Sequence, residues 1–166
     1  MNSSPVNSGG ISSITGANTK VTHSKIEVLT GEMVILGARA LDQADAIQQA
    51  GGVLVRAGCV EPSYVIGMLA RERVKSTYLG NGIAIPHGEI GDLRAVLRTG
   101  VSVLQLPAGV DWEPGGRAYL VIGLASIDLD HAGVLTNLVD LLQTPDDIQQ
   151  LVNTNDPMVI VERLTR

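Results

Sequence analysis

Apolar residues fall along this chain in short blocks whose spacing alternates between strand-like and helix-like. Met33-Val34-Ile35-Leu36 is a continuous apolar run closed by Gly37, which predicts a buried strand. Asp42 then has the place of an N-cap. Ile47, Ala50, Leu54 and Ala57 follow at helical spacing, and Gly58 fits the C-terminal stop. Pro62 suits the first turn of a second helix with Val65, Met68 and Leu69 on its apolar face and an end near Arg73. Ile83-Ala84-Ile85 is strand-like and is stopped by Pro86, with Asn81-Gly82 ahead of it as a turn. Val101–Leu106 reads as another strand, after which Pro107-Ala108-Gly109 turns the chain. Tyr119–Leu124 is apolar throughout, the pattern of a strand covered on both faces. Three helices finish the chain. The first starts near Asp130 and carries Val134, Leu135, Leu138, Val139 and Leu142. The second has Thr144, Pro145 and Asp147 in a capping-box pattern, and the third repeats that logic with Asp156 and Pro157. The order is strand, two helices, about three strands, three helices. It predicts an α/β layered domain without the strict alternation of a doubly wound nucleotide fold.

The first 24 residues depart from this pattern. They are mostly Ser, Thr, Asn and Gly with a single charge at Lys20, too little apolar surface to offset their ordering entropy. Residues 1–24 are therefore expected to be a flexible low-complexity tail and residues 25–166 one domain. Composition narrows the function classes. With 12 Lys+Arg against 17 Asp+Glu the formal charge is -5, and aromatics are 2% of the 166 residues. Neither a phosphate-backbone footprint nor a base-stacking platform is expected, so nucleic acid is not a predicted partner. Cys59 is the one cysteine, which excludes an intrachain disulfide and suits a small apolar packing residue. The apolar runs are too short to span a bilayer, so no membrane insertion is expected, and nothing at the start reads as a secretion signal. The expected location is the cytoplasm.

Familiar nucleotide and metal motifs are missing. The chain has no P-loop and no H-E-x-x-H, and Gly80-Asn81-Gly82 lacks the third glycine of a dinucleotide fingerprint and leads into a strand. The chain has three histidines. His23 lies in the tail. His87 follows Ile85-Pro86 and precedes Gly88. Proline fixes its own φ and biases Ile85 toward extended backbone, so the imidazole is presented at a rigid strand end, and Gly88 is expected to leave its face uncrowded. His131 follows Asp128-Leu129-Asp130 at a predicted helix start, where free N–H groups favour an anion. Arg71 sits near the end of the second helix. Each has a plain reading by itself: a solvated loop histidine, a first-turn surface histidine and a helix-end charge. Together, two histidines and an arginine suit a phosphoryl group, one ring nitrogen carrying it and the others balancing its charge. A metal site built from His87, His131 and Asp128 or Asp130 is the weaker reading, because no pair has a ligand spacing.

Met68-Leu69-Ala70-Arg71-Glu72-Arg73, followed by Thr77-Tyr78-Leu79-Gly80-Asn81-Gly82-Ile83-Ala84-Ile85-Pro86-His87-Gly88, resembles enzyme IIA of the bacterial phosphoenolpyruvate:sugar phosphotransferase system. The likeness is closest to the mannitol branch of the mannitol/fructose family. Leu106-Pro107-Ala108-Gly109-Val110, Leu120–Ala125 and Asp130-His131 continue it, so that it covers the domain from about Glu32 onward. The resemblance implies a βα2β3α3 core, a three-layer α/β/α arrangement around a central mixed sheet. It also implies that His87 is the phosphorylated histidine, Arg71 the active-site arginine and His131 the second active-site histidine. Glu89 departs from the family pattern, which has a small or hydroxyl residue after His-Gly, and its carboxylate is expected to point away from the phosphoryl group.

The function implied is that of a phosphocarrier with transferase chemistry. His87 would take a phosphoryl group from phosphorylated HPr and pass it to the IIB domain of a IIBC permease, coupled to uptake of a mannitol-like substrate. No cofactor or metal is implied. For such transfer His87 must be neutral at the attacking nitrogen, and its other nitrogen is expected to be held by a backbone carbonyl. Two other readings are a regulatory IIA-like module whose phosphorylation state signals to protein partners, and a metal-dependent hydrolase using the two histidines.

Overall fold

The computed structural model describes residues 27–127 and 132–166. The expected tail at residues 1–24 with His23, and the segment holding Asp128, Asp130 and His131, lie outside the described residues. The chain runs through β1 (Val34–Ile35), α1 (Gln43–Arg56), α2 (Ser63–Val74), β2 (Tyr78–Gly80), β3 (Ile83–Ala84), β4 (Gly100–Trp112), β5 (Gly116–Ala125), α3 (Ala132–Leu142), α4 (Pro145–Asn153) and α5 (Pro157–Thr165), with single 3-10 turns at Gly31–Met33 and Ile90–Ala95. Among the described residues five strands form one mixed sheet in the order β1-β4-β5-β3-β2. β1 is parallel to β4 and β3 is parallel to β5, while β4–β5 and β2–β3 are antiparallel.

Two buried polar residues of β4 show how the layers form. Ser102 and Gln105 are three positions apart, so their side chains leave opposite faces of the sheet. Ser102 Oγ donates to the Ala50 carbonyl of α1 at 2.8 Å. Gln105 Nε2 donates to the carbonyls of Leu151 and Thr154 at the end of α4, at 2.9 and 2.8 Å, and its Oε1 accepts from Gly37 N–H. The sheet therefore lies between α1 with α2 on one side and the C-terminal helices on the other. Its interior residues, among them Ile83, Val103, Leu104, Leu120, Val121 and Ile122, are buried, and each large one contributes about 1.5–3 kcal/mol relative to exposure. The continuously apolar stretch Tyr119–Leu124 lies in β5, which is flanked by β4 and β3, and this explains its lack of polar alternation.

Most predicted boundaries hold. Asp42 caps α1 through Asp45 N–H at 2.8 Å, and Asp156 caps α5 through Met158 N–H at 2.9 Å. Cys59 is fully buried. Four details differ. The first strand is shortened to Val34–Ile35, because Met33 belongs to the preceding 3-10 turn. Tyr78–Gly80 forms a strand that the sequence pattern does not reveal. Asn81 (φ 51°) and Gly82 (φ 83°) both take left-handed backbone, the geometry of a two-residue hairpin turn, and bring Tyr78 opposite Ala84. Pro107-Ala108-Gly109 does not end its strand. The β4–β5 register slips between Gln105 and Val110, and pairing resumes to Trp112, so the segment is an irregularity inside one long strand. Pro107 has no N–H to offer the ladder, which is the physical reason it interrupts pairing there. The Thr144–Asp147 capping box does not form. Thr144 Oγ1 donates to the Asp140 and Leu141 carbonyls behind it, and Asp147 pairs with Arg163 at 3.0 Å, leaving Pro145 to fit the first turn by having no N–H to satisfy.

Candidate active site

β3 and β5 run parallel, so their C-terminal ends reach the same edge of the sheet. His87 lies just beyond β3 and still pairs with Leu124 of β5 as an isolated parallel bridge. Ile85 N–H donates to the Thr77 carbonyl at 3.0 Å, and Leu124 N–H donates to the Pro86 carbonyl at 3.1 Å. The backbone leading to the histidine is thus held on both sides, as the Ile85-Pro86 stiffness predicts.

The half-buried imidazole is oriented by its own backbone. His87 Nδ1 lies 2.8 Å from the Ile85 carbonyl oxygen. A carbonyl only accepts, so Nδ1 carries the hydrogen and neutral His87 keeps its lone pair on Nε2. The expected carbonyl partner is therefore present, and it belongs to the strand end that presents the ring.

Gly88 has a different reason from the expected one. Its face is crowded, and a Cβ there would come within 2.7 Å of Tyr64 Cε2 and 3.1 Å of Asp92 Cβ. Glycine is the residue that lets the loop lie against α2. Gly67 of α2 has the matching constraint, since a Cβ would meet the Asp92 carboxylate at 2.3 Å. Asp92 Oδ2 in turn accepts from Glu89 N–H at 2.8 Å. Glu89 itself is exposed at the start of the 3-10 turn.

Tyr64 and Asp92 are the site-building residues that sequence reasoning misses. The Tyr64 hydroxyl is buried, accepts from Gly88 N–H at 2.9 Å and donates to the Leu124 carbonyl at 2.7 Å. Burial pushes its phenol above the ordinary value, the Gly88 N–H pulls it down and the Asp92 carboxylate adds to the rise. Nothing local in the sequence couples a helix-start tyrosine to a loop 24 residues away.

Arg71 lies in the last turn of α2. Positions 64, 67 and 71 share one helical stripe, and 64 and 67 face the His87–Asp92 loop. Arg71 is therefore on the stripe directed to that loop, about two turns or roughly 10 Å along the axis from Tyr64. Its Nη1 donates to the Lys75 carbonyl and completes the helix end. Among the described residues no hydrogen bond joins Arg71 to His87. The neighbouring Glu72 points into the α2–β2 junction, where its carboxylate accepts from Thr77 N–H, Thr77 Oγ1, Gln43 Nε2 and Trp112 Nε1. His131, Asp128 and Asp130 lie outside the described residues.

Comparison with known proteins gives the family and the fold. The family described as "Phosphoenolpyruvate-dependent sugar phosphotransferase system, EIIA 2" matches residues 27–166. A multiphosphoryl transfer protein of Rhodobacter capsulatus is 47% identical over 137 residues, which is 82% of this chain and 17% of that protein. The PTS system mannitol-specific EIICBA component of Pasteurella multocida is 46% identical over 132 residues, 78% of this chain and 21% of that protein. The chain thus spans about a fifth of the curated relatives it matches here. Among solved structures, Escherichia coli enzyme IIAMTL, in a complex with phosphorylated enzyme IIBMTL, superposes with a TM-score of 0.75 at 39% identity, covering 82% of this chain and 96% of that one. No helix among the described residues is long and apolar enough to cross a membrane.

Proposed function

The chain belongs to the EIIA 2 family of the phosphoenolpyruvate-dependent sugar phosphotransferase system, and on that premise we propose that it is a cytoplasmic IIA phosphocarrier whose accepting atom is His87 Nε2. Residues 25–166 form the IIA domain in this reading. The donor is phosphorylated HPr, and the acceptor is the IIB domain of a permease that takes up and phosphorylates a mannitol-like substrate. The 46% identity to a mannitol-specific component supports that substrate class.

The observation that carries the proposal is the hydrogen bond from His87 Nδ1 to the Ile85 carbonyl. It leaves the Nε2 lone pair free to attack phosphorus. As the new N–P bond forms, the donor's bond to phosphorus breaks and its electron pair returns to the donor atom. The Nδ1 hydrogen stays in place, and the ring gains positive character that the Ile85 carbonyl dipole offsets. Onward transfer is the reverse at Nε2: the IIB nucleophile attacks phosphorus and the N–P electron pair returns to His87. Phosphoryl transfer of this kind depends on positioning and charge balance rather than on covalent chemistry by further groups. Arg71, on the α2 stripe directed to the loop, supplies the cationic donor. His131, which lies outside the described residues, is assigned from the resemblance as the second donor to the phosphoryl oxygens.

His87→Gln should fold normally and accept no phosphate. Each protein is incubated with phosphoenolpyruvate, enzyme I and HPr, and the acid-labile phosphate is located by mass spectrometry. Labelling of the variant at the wild-type level would remove His87 from the role.

A further inference from the structure

We propose that Tyr64 is a positioning residue for phosphoryl transfer, acting through the peptide that follows His87. The inference rests on the reading of His87 as acceptor, but its first readout does not require any transfer to occur. The residues on either side of His87 are both tied to Leu124. Pro86 accepts from Leu124 N–H directly, and Gly88 reaches the Leu124 carbonyl through the Tyr64 hydroxyl, with links of 2.9 and 2.7 Å. The two ties close a clasp around one residue. The first is backbone to backbone and is set by the sheet. The second exists only because a phenol from α2 accepts on one side and donates on the other.

Three further contacts make the clasp rigid. A Gly88 Cβ would come within 2.7 Å of Tyr64 Cε2, so the loop lies close against the ring as well as bonding to its oxygen. Asp92 holds the next residue through Glu89 N–H. Asp92 is packed in turn against Gly67, one turn along α2 from Tyr64. The hydroxyl is buried, so water does not compete for either bond. It remains protonated across the working pH range, because burial raises its pKa, and it can therefore keep donating to Leu124. The hydrogen bond between His87 Nδ1 and the Ile85 carbonyl spans a backbone segment that this clasp keeps from turning. Loss of the hydroxyl frees the 87–88 peptide to rotate. It weakens that bond and lets the second tautomer, with its hydrogen on Nε2, compete. A hydrogen on Nε2 blocks attack on phosphorus.

The test is Tyr64→Phe, which keeps the ring and removes one oxygen. In uniformly 15N-labelled protein with the imidazole neutral, the wild type should show an N–H-type Nδ1 and a lone-pair-type Nε2. In Tyr64→Phe the two shifts should move toward each other. The single-turnover rate from phosphorylated HPr should fall about tenfold at saturating donor, with the half-saturating concentration unchanged, because docking is intact while the acceptor is misaligned. A residue that merely fills the core would lower the melting temperature and leave the nitrogen shifts and the saturating rate where they are; that result overturns the proposal, as does either readout remaining unmoved. Should Tyr64→Phe not fold, Gly88→Ala presses on the same ring and should shift the same two nitrogens. If His87→Gln still accepts phosphate while Tyr64→Phe shifts the His87 nitrogens, it is the acceptor assignment that has failed and the clasp that stands.

Discussion

Trp112 Nε1 donates to Glu72 Oε1 across 2.7 Å, joining the end of the long β4 strand to the last turn of α2. The same carboxylate takes both polar hydrogens of Thr77 and one from Gln43, so one side chain ties α1, α2, the residue ahead of β2 and β4 together. Trp112 is 1% exposed and Thr77 5%, so removing Glu72 takes away the protein acceptor on which their buried donors rely. Glu72→Ala should therefore destabilise the fold by about 2–3 kcal/mol, the range for leaving buried donors unpaired. Glu72→Gln keeps the volume but replaces one acceptor with a donor, and it should recover only part of the loss. Trp112 is the one tryptophan, so urea unfolding followed by its fluorescence reads both effects. Unchanged midpoints in both variants would show that the cluster is not a structural tie.

Arg71 is expected to serve transfer more than folding. Charge-assisted hydrogen bonds contribute roughly 1.5–3 kcal/mol each, so Arg71→Ala should slow acceptance by His87 on the order of tenfold to a hundredfold. The loss of its bond to the Lys75 carbonyl should cost no more than about 1 kcal/mol of stability. Arg71→Lys should restore part of the charge balance and none of the forked geometry. Single-turnover phosphorylation alongside thermal melting separates the two effects. Transfer by Arg71→Ala at the wild-type rate would leave the residue as a helix cap only.

For His131 the informative quantity is the difference between two rates. His87 remains the nucleophile in His131→Ala, so acceptance from phosphorylated HPr should persist. Onward transfer to IIB should slow more, because the departing phosphoryl group loses a ring N–H donor. Both steps are measured in single turnover. Equal rates in variant and wild type for the two steps would take His131 out of the site.

Stability should decline in alkali. Burial pushes the Cys59 thiol above its ordinary 9.0, with Arg98 pulling it back, and burial likewise raises the Tyr64 phenol above 10.0. The folded chain then holds these protons more tightly than the unfolded chain does. The stability this contributes is fully present below the unfolded pKa values and is lost as pH rises through the folded ones. The urea midpoint should fall between about pH 9 and 11, and Cys59→Ala should flatten the early part of the decline. A midpoint that holds level over that interval in the wild type is the contrary result.

Much of this fold is set by local chemistry that the sequence displays. Asp42 and Asp156 announce helix starts because a short carboxylate reaches the free N–H groups of a first turn, a purely local interaction. Tyr119–Leu124 announces a central strand because both its faces lack polar residues. The Ile85-Pro86-His87-Gly88 run announces a histidine held at a strand end, because proline stiffens the backbone that leads to it. Elsewhere a local pattern was misleading because a distant partner decided the outcome. Thr144 and Asp147 have capping-box spacing, but the Asp140 and Leu141 carbonyls and Arg163 claim them. Pro107-Ala108-Gly109 has turn composition, but the antiparallel neighbour carries β4 past it to Trp112. The same holds for the site. The strand-end presentation of His87 follows from its neighbours along the chain, whereas the clasp around it is made by Tyr64 and Leu124, which chain folding alone brings together. A hydrogen bond between residues 60 positions apart leaves no periodicity in the sequence, and so the clasp became visible only in the tertiary structure.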